Sequence, residues 1–157
     1  MNNKYINIYN NLVNLTRNKE LYKNFFKQDT FSDRLIFFLL HFAFFLKVFK
    51  KNNKKKILQE IYDQIFKYLE LSVREMGYGD ATINKKMKNY INIFYSILSK
   101  VEKWDNLSKN SQNDIFEEYL GFKSETLFLP EYFENYREYL KKNTFNSLLK
   151  GVIKPNF

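Results

Sequence analysis

The stretch LIFFLLHFAFFL, residues 35–46, is the longest near-continuous apolar run of the chain. Its 12 residues, with a histidine among them, are too few to cross a bilayer core of roughly 30 Å. A helix that is apolar on nearly every face is stable only when nearly every face is buried. We therefore predict a helix from about Thr30 to Lys50 at the centre of a helical bundle, with Thr30 as its N-cap and Asp33 three residues later.

The composition of the whole chain also favours helices. Its 157 residues include 17 Phe and 12 Tyr but only 4 Gly and 2 Pro, too few for the turns of a β-sandwich. We predict an all-α fold, a single-domain bundle of about six to eight helices over residues 1–157. With no cysteine, disulfides and thiolate metal sites are excluded. The first residues lack the apolar core of a secretory signal, so we expect the protein to stay where it is made.

Apolar residues recur at helical spacing on both sides of the central run. The segment at 57–73 should form a long helix that ends at Gly77, and 83–101 the next, so that the two make an αα-hairpin. Further helices are predicted at 5–15, 21–26, 111–121 (begun by Ser111 with Asp114), 130–140 (with Pro130 in its first turn) and 145–149.

The segment SVREMGYGD, residues 72–80, forms the corner of this hairpin. Gly77 should be a left-handed C-cap, Gly79 should allow a tight turn, and Asp80 should accept amide hydrogen bonds at the next N-terminus. A third glycine at dinucleotide-binding spacing is missing, and the pair follows a helix instead of a strand. The glycines therefore predict a structural turn.

Arg74 and Glu75 are not explained by the turn alone. Arg74 lies one turn before the C-cap, where its charge complements the helix dipole. The other interpretation is that the corner holds the side chains of Arg74, Glu75 and Asp80 in fixed positions that a partner recognises. The sequence leaves both open.

His41 is the single histidine, so the chain has no two-histidine metal or haem site and no evident catalytic triad. We interpret it as a core residue whose ring nitrogens bond to neighbours, with a single axial ligand as the alternative. Asp63, Glu70 and Glu75 do not converge on one helical face, so carboxylate catalysis or metal binding has no support. We expect no enzyme activity, no cofactor and no metal site.

The phenylalanines of the central run also have two possible uses. They can form the core, or they can line a groove that binds a client protein. Core packing is the simpler interpretation. The residues concerned are Phe37, Phe38, Phe42, Phe44 and Phe45.

The net charge of +9 is unevenly distributed. Residues 1–56 contain 12 Lys and Arg against 3 Asp and Glu, whereas the remainder contains 14 of each. Such a basic region predicts contact with anionic lipid or RNA, and a solvated loop is the alternative. The lysine cluster that carries the excess comprises Lys47, Lys50, Lys51, Lys54, Lys55 and Lys56.

Two stretches together carry a family resemblance: DTFSDRLIFFLLHFAFFLKVFK, residues 29–50, and SVREMGYGDATINKKMK, residues 72–88. They resemble the ubiquinol-cytochrome c chaperone family, helical assembly factors of the respiratory bc complex. The likeness covers roughly residues 5–150 and is strongest over 29–101. The first motif corresponds to Asp29, Thr30, Arg34, Leu40 and His41. The second corresponds to Arg74, Glu75, Met76, Gly77, Gly79 and Asp80.

The chain departs from the family pattern in two places. It reads Asp33-Arg34-Leu35 where the family commonly has Gly-Arg-Phe. It also has Tyr68 and Leu69 where acidic residues usually precede the corner, leaving only Glu70.

The resemblance implies a noncatalytic chaperone that binds newly made cytochrome b and supports its haem acquisition and its assembly into ubiquinol-cytochrome c reductase. Eukaryotic relatives work with a small co-chaperone and at the ribosomal exit site. We expect a place in the cytoplasm, peripheral to the bacterial inner membrane, or on the matrix side of an organelle. The partner-binding residues expected on this basis are Arg34, His41, Arg74, Glu75 and Asp80.

Five lysines of the lysine cluster are then expected to be a tether to an anionic membrane or the ribosome. They are Lys50, Lys51, Lys54, Lys55 and Lys56. One rival interpretation is a basic nucleic-acid- or ribosome-binding helical module, although no element for specific DNA recognition is evident. Another is an enzyme acting on a lipid or isoprenoid, which lacks paired acids.

Overall fold

A computed structural model describes residues 4–23, 31–51, 54–121 and 126–153. Over these residues the protein is all-α, with seven α-helices and no strand, which confirms the predicted helical bundle. Two short 3-10 helices, Lys19–Leu21 and Trp104–Asn106, connect longer elements. The α-helices are α1 (Ile6–Thr16), α2 (Phe31–Phe49), α3 (Lys55–Arg74), α4 (Asp80–Glu102), α5 (Lys109–Leu120), α6 (Leu129–Lys142) and α7 (Phe145–Lys150).

Helix α2 lies at the centre of the bundle, as its sequence predicts. Eleven of its 19 residues are buried, and it packs against α1, α4, α5 and α6. The five phenylalanines of its apolar run are all in the core. This burial confirms the core interpretation and removes those rings from any client-binding groove. No described helix is both long and apolar enough to cross a membrane.

Stacked aromatic rings join α2 to the second half of the chain. Phe44 stacks on Phe133 of α6 at 4.9 Å between ring centroids, and Phe116 of α5 also stacks on Phe133, at 5.2 Å. The single tryptophan, Trp104, meets Phe44 edge-on and donates a 2.6 Å hydrogen bond to Glu134. Such pairs contribute roughly 0.5–1.5 kcal/mol beyond their buried area, so they fix α5 and α6 against the central helix.

The hairpin of α3 and α4 packs on α2 from the other side. Phe94 of α4 stacks on Phe42 at 5.2 Å and meets Phe66 of α3 at 5.4 Å. Helix α1 lies across the hairpin end, where the Tyr9 hydroxyl is 2.6 Å from Ser72 Oγ.

Several predicted boundaries need correction. The N-cap of α5 is Ser108, whose hydroxyl accepts from the Ser111 amide, so this helix begins earlier than Ser111. The cap assigned to Thr30 lies outside the described residues. The predicted helix at 21–26 is a 3-10 turn as far as Leu21, and its remaining apolar pair, Phe25 and Phe26, also lies outside them.

Candidate functional site

The corner between α3 and α4 is a tight, hydrogen-bonded turn. Gly77 has a φ of 92°, the left-handed conformation that the sequence predicts, and its amide donates to the Arg74 carbonyl at 3.0 Å. Gly79 is extended and is the N-cap of α4, whose first bonded amide is that of Ile83. The turn therefore reverses the chain within five residues, from Glu75 to Gly79.

An ion pair closes this corner. Arg74 Nη1 donates to Asp80 Oδ1 at 2.6 Å, and Arg74 Nη2 lies 3.6 Å from the Glu70 carboxylate. The hydrogen bond to Asp80 is the main cause that raises the pKa of Arg74. Asp80 is the first residue of α4 and makes no side-chain cap, so the predicted role as an amide acceptor is wrong. Its carboxylate bonds to the arginine instead.

Three large apolar side chains are exposed around this ion pair. Leu71, Met76 and Tyr78 keep 41%, 48% and 44% of their surface in water, and Lys86 Nζ lies 4.7 Å above the Tyr78 ring. Leu71 and Tyr78 are not among the site residues predicted from the sequence. Leu71 could have been found from periodicity, because it falls between the buried residues Leu69 and Val73 and so points away from the core.

We call this set of side chains the corner surface. It combines an ion pair, an acid (Glu75) that pairs with no described residue, and exposed apolar side chains. Its backbone is fixed at both ends by helices. Such a mixture is typical of surfaces that recognise proteins. Its members are Leu71, Arg74, Glu75, Met76, Tyr78 and Asp80.

Arg34 lies at the same end of the bundle as the corner surface. It is half-buried in the first turn of α2, one turn before Phe38. The Tyr9 ring contacts Phe38 at 5.7 Å and Tyr68 of α3 at 5.4 Å, while its hydroxyl bonds to Ser72. Tyr9 of α1 therefore contacts both helices, and the start of α2 and the end of α3 lie at the same end of the bundle.

His41 lies in the core, away from the corner surface, with none of its surface exposed. Its Nδ1 lies 2.6 Å from the Phe37 carbonyl, which can only accept, so Nδ1 carries the proton. Its Nε2 then accepts from the Tyr132 hydroxyl at 2.7 Å. Burial lowers the pKa of His41 to about 4. The ring is neutral, and both of its nitrogens have a hydrogen-bond partner. Because it is buried, a partner protein cannot reach it, and His41 is a core residue.

The lysine cluster lies at the opposite end of the bundle, where α2 ends and α3 begins. Lys50 pairs with Glu102 at 3.3 Å, and Lys47 Nζ donates to the Glu102 carbonyl at 3.1 Å. Lys51, Lys54, Lys55 and Lys56 are exposed. Within the described part of the chain, no group of three or more acidic, histidine or cysteine side chains could hold a metal ion.

Comparison with known proteins gives two matches. The family model "Ubiquinol-cytochrome C chaperone" matches residues 23–109, which include α2, the corner surface and the lysine cluster. The crystal structure of the Cbp3 homolog from Brucella abortus is similar in fold, with a TM-score of 0.76 and 25% sequence identity. That similarity covers 97% of this chain and 90% of the other. No curated protein sequence matches.

Proposed function

Since the chain belongs to the ubiquinol-cytochrome C chaperone family, we propose that it is a noncatalytic assembly chaperone that binds newly made cytochrome b and supports assembly of the ubiquinol-cytochrome c reductase complex. The family match over residues 23–109 carries this proposal, and the similarity to the Cbp3 homolog supports it over nearly the whole chain.

The corner surface is the proposed contact with the client or with a small co-chaperone. Its apolar members, Met76 and Tyr78, are large side chains that a partner can bury, and buried aromatic anchors contribute strongly to protein-protein affinity. The bond between Arg74 and Asp80 holds the turn before any partner arrives. Less conformational entropy is then lost on binding, which favours recognition.

Arg34 belongs to the same proposed contact because it lies at the same end of the bundle. His41 has a different proposed role. Since its ring bonds to Phe37 and Tyr132, it joins α2 to α6 and supports the packing of the bundle from within. Cytochrome b is a membrane protein, so we place the chaperone at the inner membrane surface, on the cytoplasmic face in a bacterium or the matrix face in an organelle.

A pull-down from native cells tests the proposed function. The tagged protein is recovered in mild detergent, and its partners are identified by mass spectrometry and a haem stain. We expect cytochrome b with the wild-type chain and its loss with an Arg74→Ala/Asp80→Ala variant. A matched control removes another exposed ion pair, Glu138 with Lys141 at 3.7 Å on α6, and should keep the client.

One result would overturn the proposal. If the pull-down recovers RNA or ribosomal particles without cytochrome b, and a deletion strain has a normal level of cytochrome b, the chain is a nucleic-acid- or ribosome-binding module. The chain would then share the fold of its family but not the chaperone function.

A further inference from the structure

A groove with an apolar floor and a basic rim lies at the end of the bundle remote from the corner surface. It has a volume of about 900 Å³ and runs between the end of α2, the start of α3 and the end of α4. Three half-buried leucines, Leu46, Leu58 and Leu98, form its floor as the outermost layer of the core. Its charged lining consists of Lys47, Lys50, Lys51, Lys55 and Glu102.

Among the described residues, the acids near this rim compensate only part of its positive charge. Four lysines face a single carboxylate, Glu102, which Lys50 already engages at 3.3 Å. The charge of Lys47 is partly compensated by Asp105, whose carboxylate lies 3.4 Å from Lys47 Nζ. Lys51 and Lys55 form no ion pair with any described residue. An anion entering the groove would therefore meet at least two lysines that no acid in the described ranges engages.

We propose that this groove binds an anionic phospholipid of a membrane surface, with the lysines on its phosphate group and the leucine floor against the first part of one acyl chain. The charge is complementary to an anionic headgroup, and the lysine stems can lie along apolar surface while their amines reach the phosphate layer. The leucines give the acyl chain an apolar contact that a purely solvated lysine loop would lack.

The lining also favours lipid over RNA. Grooves for single-stranded nucleic acid combine positive charge with aromatic rings on which bases stack. None of the described residues that line this groove is aromatic, whereas the three that form its floor are leucines. Leucine side chains offer a base neither a stacking face nor a hydrogen bond.

This inference goes beyond the proposed chaperone function and can fail independently of it. The groove lies at the start of α3 and the corner surface at its end, and this 20-residue helix is roughly 30 Å long. The test uses purified full-length protein and vesicles, without cytochrome b.

The first experiment measures sedimentation with vesicles of phosphatidylcholine, with or without one-third phosphatidylglycerol. We expect binding only to the anionic vesicles. Raising sodium chloride from about 0.1 M to about 1 M shortens the Debye length from about 10 Å to about 3 Å and should weaken this binding strongly. Each lysine near an anionic surface accounts for about a fivefold change in partitioning, so Lys51→Gln/Lys55→Gln should reduce binding about 25-fold.

A matched control removes the same charge elsewhere. Lys109 and Lys142 are exposed on α5 and α6 and do not line the groove. Lys109→Gln/Lys142→Gln should therefore bind anionic vesicles nearly as well as the wild type. If both double variants lose binding equally, only net charge matters and the groove is not the site.

The second experiment asks whether the leucine floor meets the acyl chain. Leu58→Trp places a fluorophore on the floor, and Leu127→Trp places one at a position that is 61% exposed outside the groove. The native Trp104 is fully buried and gives the common background. We expect phospholipids brominated in the upper acyl chain to quench Leu58→Trp but not Leu127→Trp.

Three outcomes would overturn the proposal. Quenching of both tryptophans would mean general adsorption, and quenching of neither, with vesicle binding intact, would limit the contact to headgroups. Equal competition by a single-stranded RNA of random sequence would assign the lysines to nucleic acid. Circular dichroism of each variant shows whether it is folded.

Discussion

Arg74 donates through Nη1 to the carboxylate of Asp80 at 2.6 Å, and this bond joins the last residue of α3 to the first residue of α4. Both side chains are substantially exposed, so the pair adds little to global stability. Its consequence is local, because it fixes the orientation of the corner surface. We therefore expect Asp80→Ala to unfold at nearly the wild-type temperature while losing recovery of cytochrome b.

A conservative variant separates the shape of the corner from its charge. Asp80→Asn keeps an oxygen that can accept from Arg74 but removes the negative charge. We expect Asp80→Asn to match the wild type in thermal unfolding and to recover cytochrome b far better than Asp80→Ala, because the bond to Arg74 that orients the corner surface is kept. Loss of cytochrome b with Asp80→Asn would mean that the partner recognises the negative charge of Asp80 itself.

The two glycines of the corner should respond differently to alanine. Gly77 has a φ of 92°, so a Cβ there is strained even though nothing lies within 4 Å of it. We expect Gly77→Ala to lower the free energy of unfolding by roughly 1–2 kcal/mol. Gly79 has a φ of -73° and equally open surroundings. Gly79→Ala should be neutral or stabilising by up to about 1 kcal/mol, because it restricts the unfolded chain.

Urea unfolding of the two glycine variants measures this difference directly. Each is the other's control, since the two residues lie in one turn and undergo the same substitution. Equal losses would contradict the assignment of the left-handed conformation to Gly77 alone.

The parts of the fold that local patterns determine could be predicted from the sequence. The apolar run of α2 requires burial on every side, and a glycine at the end of an amphipathic helix favours the left-handed conformation found at Gly77. Pro130 lies in the first turn of α6 for a similar local reason. These signals depend on neighbours in the sequence.

Contacts between distant residues could not be predicted in this way. Asp80 was expected to cap α4, but it meets Arg74 because the turn brings side chains six residues apart together. The Tyr132 hydroxyl that bonds to His41 comes from 91 residues away. The groove under the lysine cluster also depends on tertiary packing, since Leu46, Leu58 and Leu98 belong to three helices.

Asn11 of α1 makes two hydrogen bonds to the C-terminal part of the described chain. Asn11 donates to the Gly151 carbonyl at 3.0 Å and accepts from the Ile153 amide at 3.0 Å. Since Asn11 and Ile153 are buried, Asn11→Ala should leave the Ile153 amide without its acceptor and cost roughly 1–3 kcal/mol. Hydrogen exchange at the Ile153 amide should accelerate by a larger factor than exchange in α2.

A neighbouring asparagine provides the control for Asn11. Asn7 donates to the Leu149 carbonyl at 2.9 Å, but this bond is exposed and water can replace it. Asn7→Ala should change the free energy of unfolding by no more than about 0.5 kcal/mol. If the two variants are equally destabilised, burial of the Asn11 bonds is not what holds this segment.

His41 should make stability fall with acid in a defined range. Burial lowers its pKa in the folded protein to about 4, whereas the unfolded value is 6.5. Between these values the unfolded chain binds more protons, so the free energy of unfolding decreases as pH falls, by roughly 3 kcal/mol in total. This contribution is fully present above pH 6.5 and is lost as pH falls through 4.

A variant without the titrating ring isolates this effect. His41→Gln should be less stable than the wild type at neutral pH, and the difference should shrink as pH falls from about 7 to about 4, because the other ionisable groups are common to both proteins. Denaturant unfolding at several pH values measures the difference. Since the chain has a single histidine, its ring signals in an NMR titration are unambiguous. A measured pKa near 6.5 would mean that water reaches the ring, and the closed bonds to Phe37 and Tyr132 would then not describe the protein in solution.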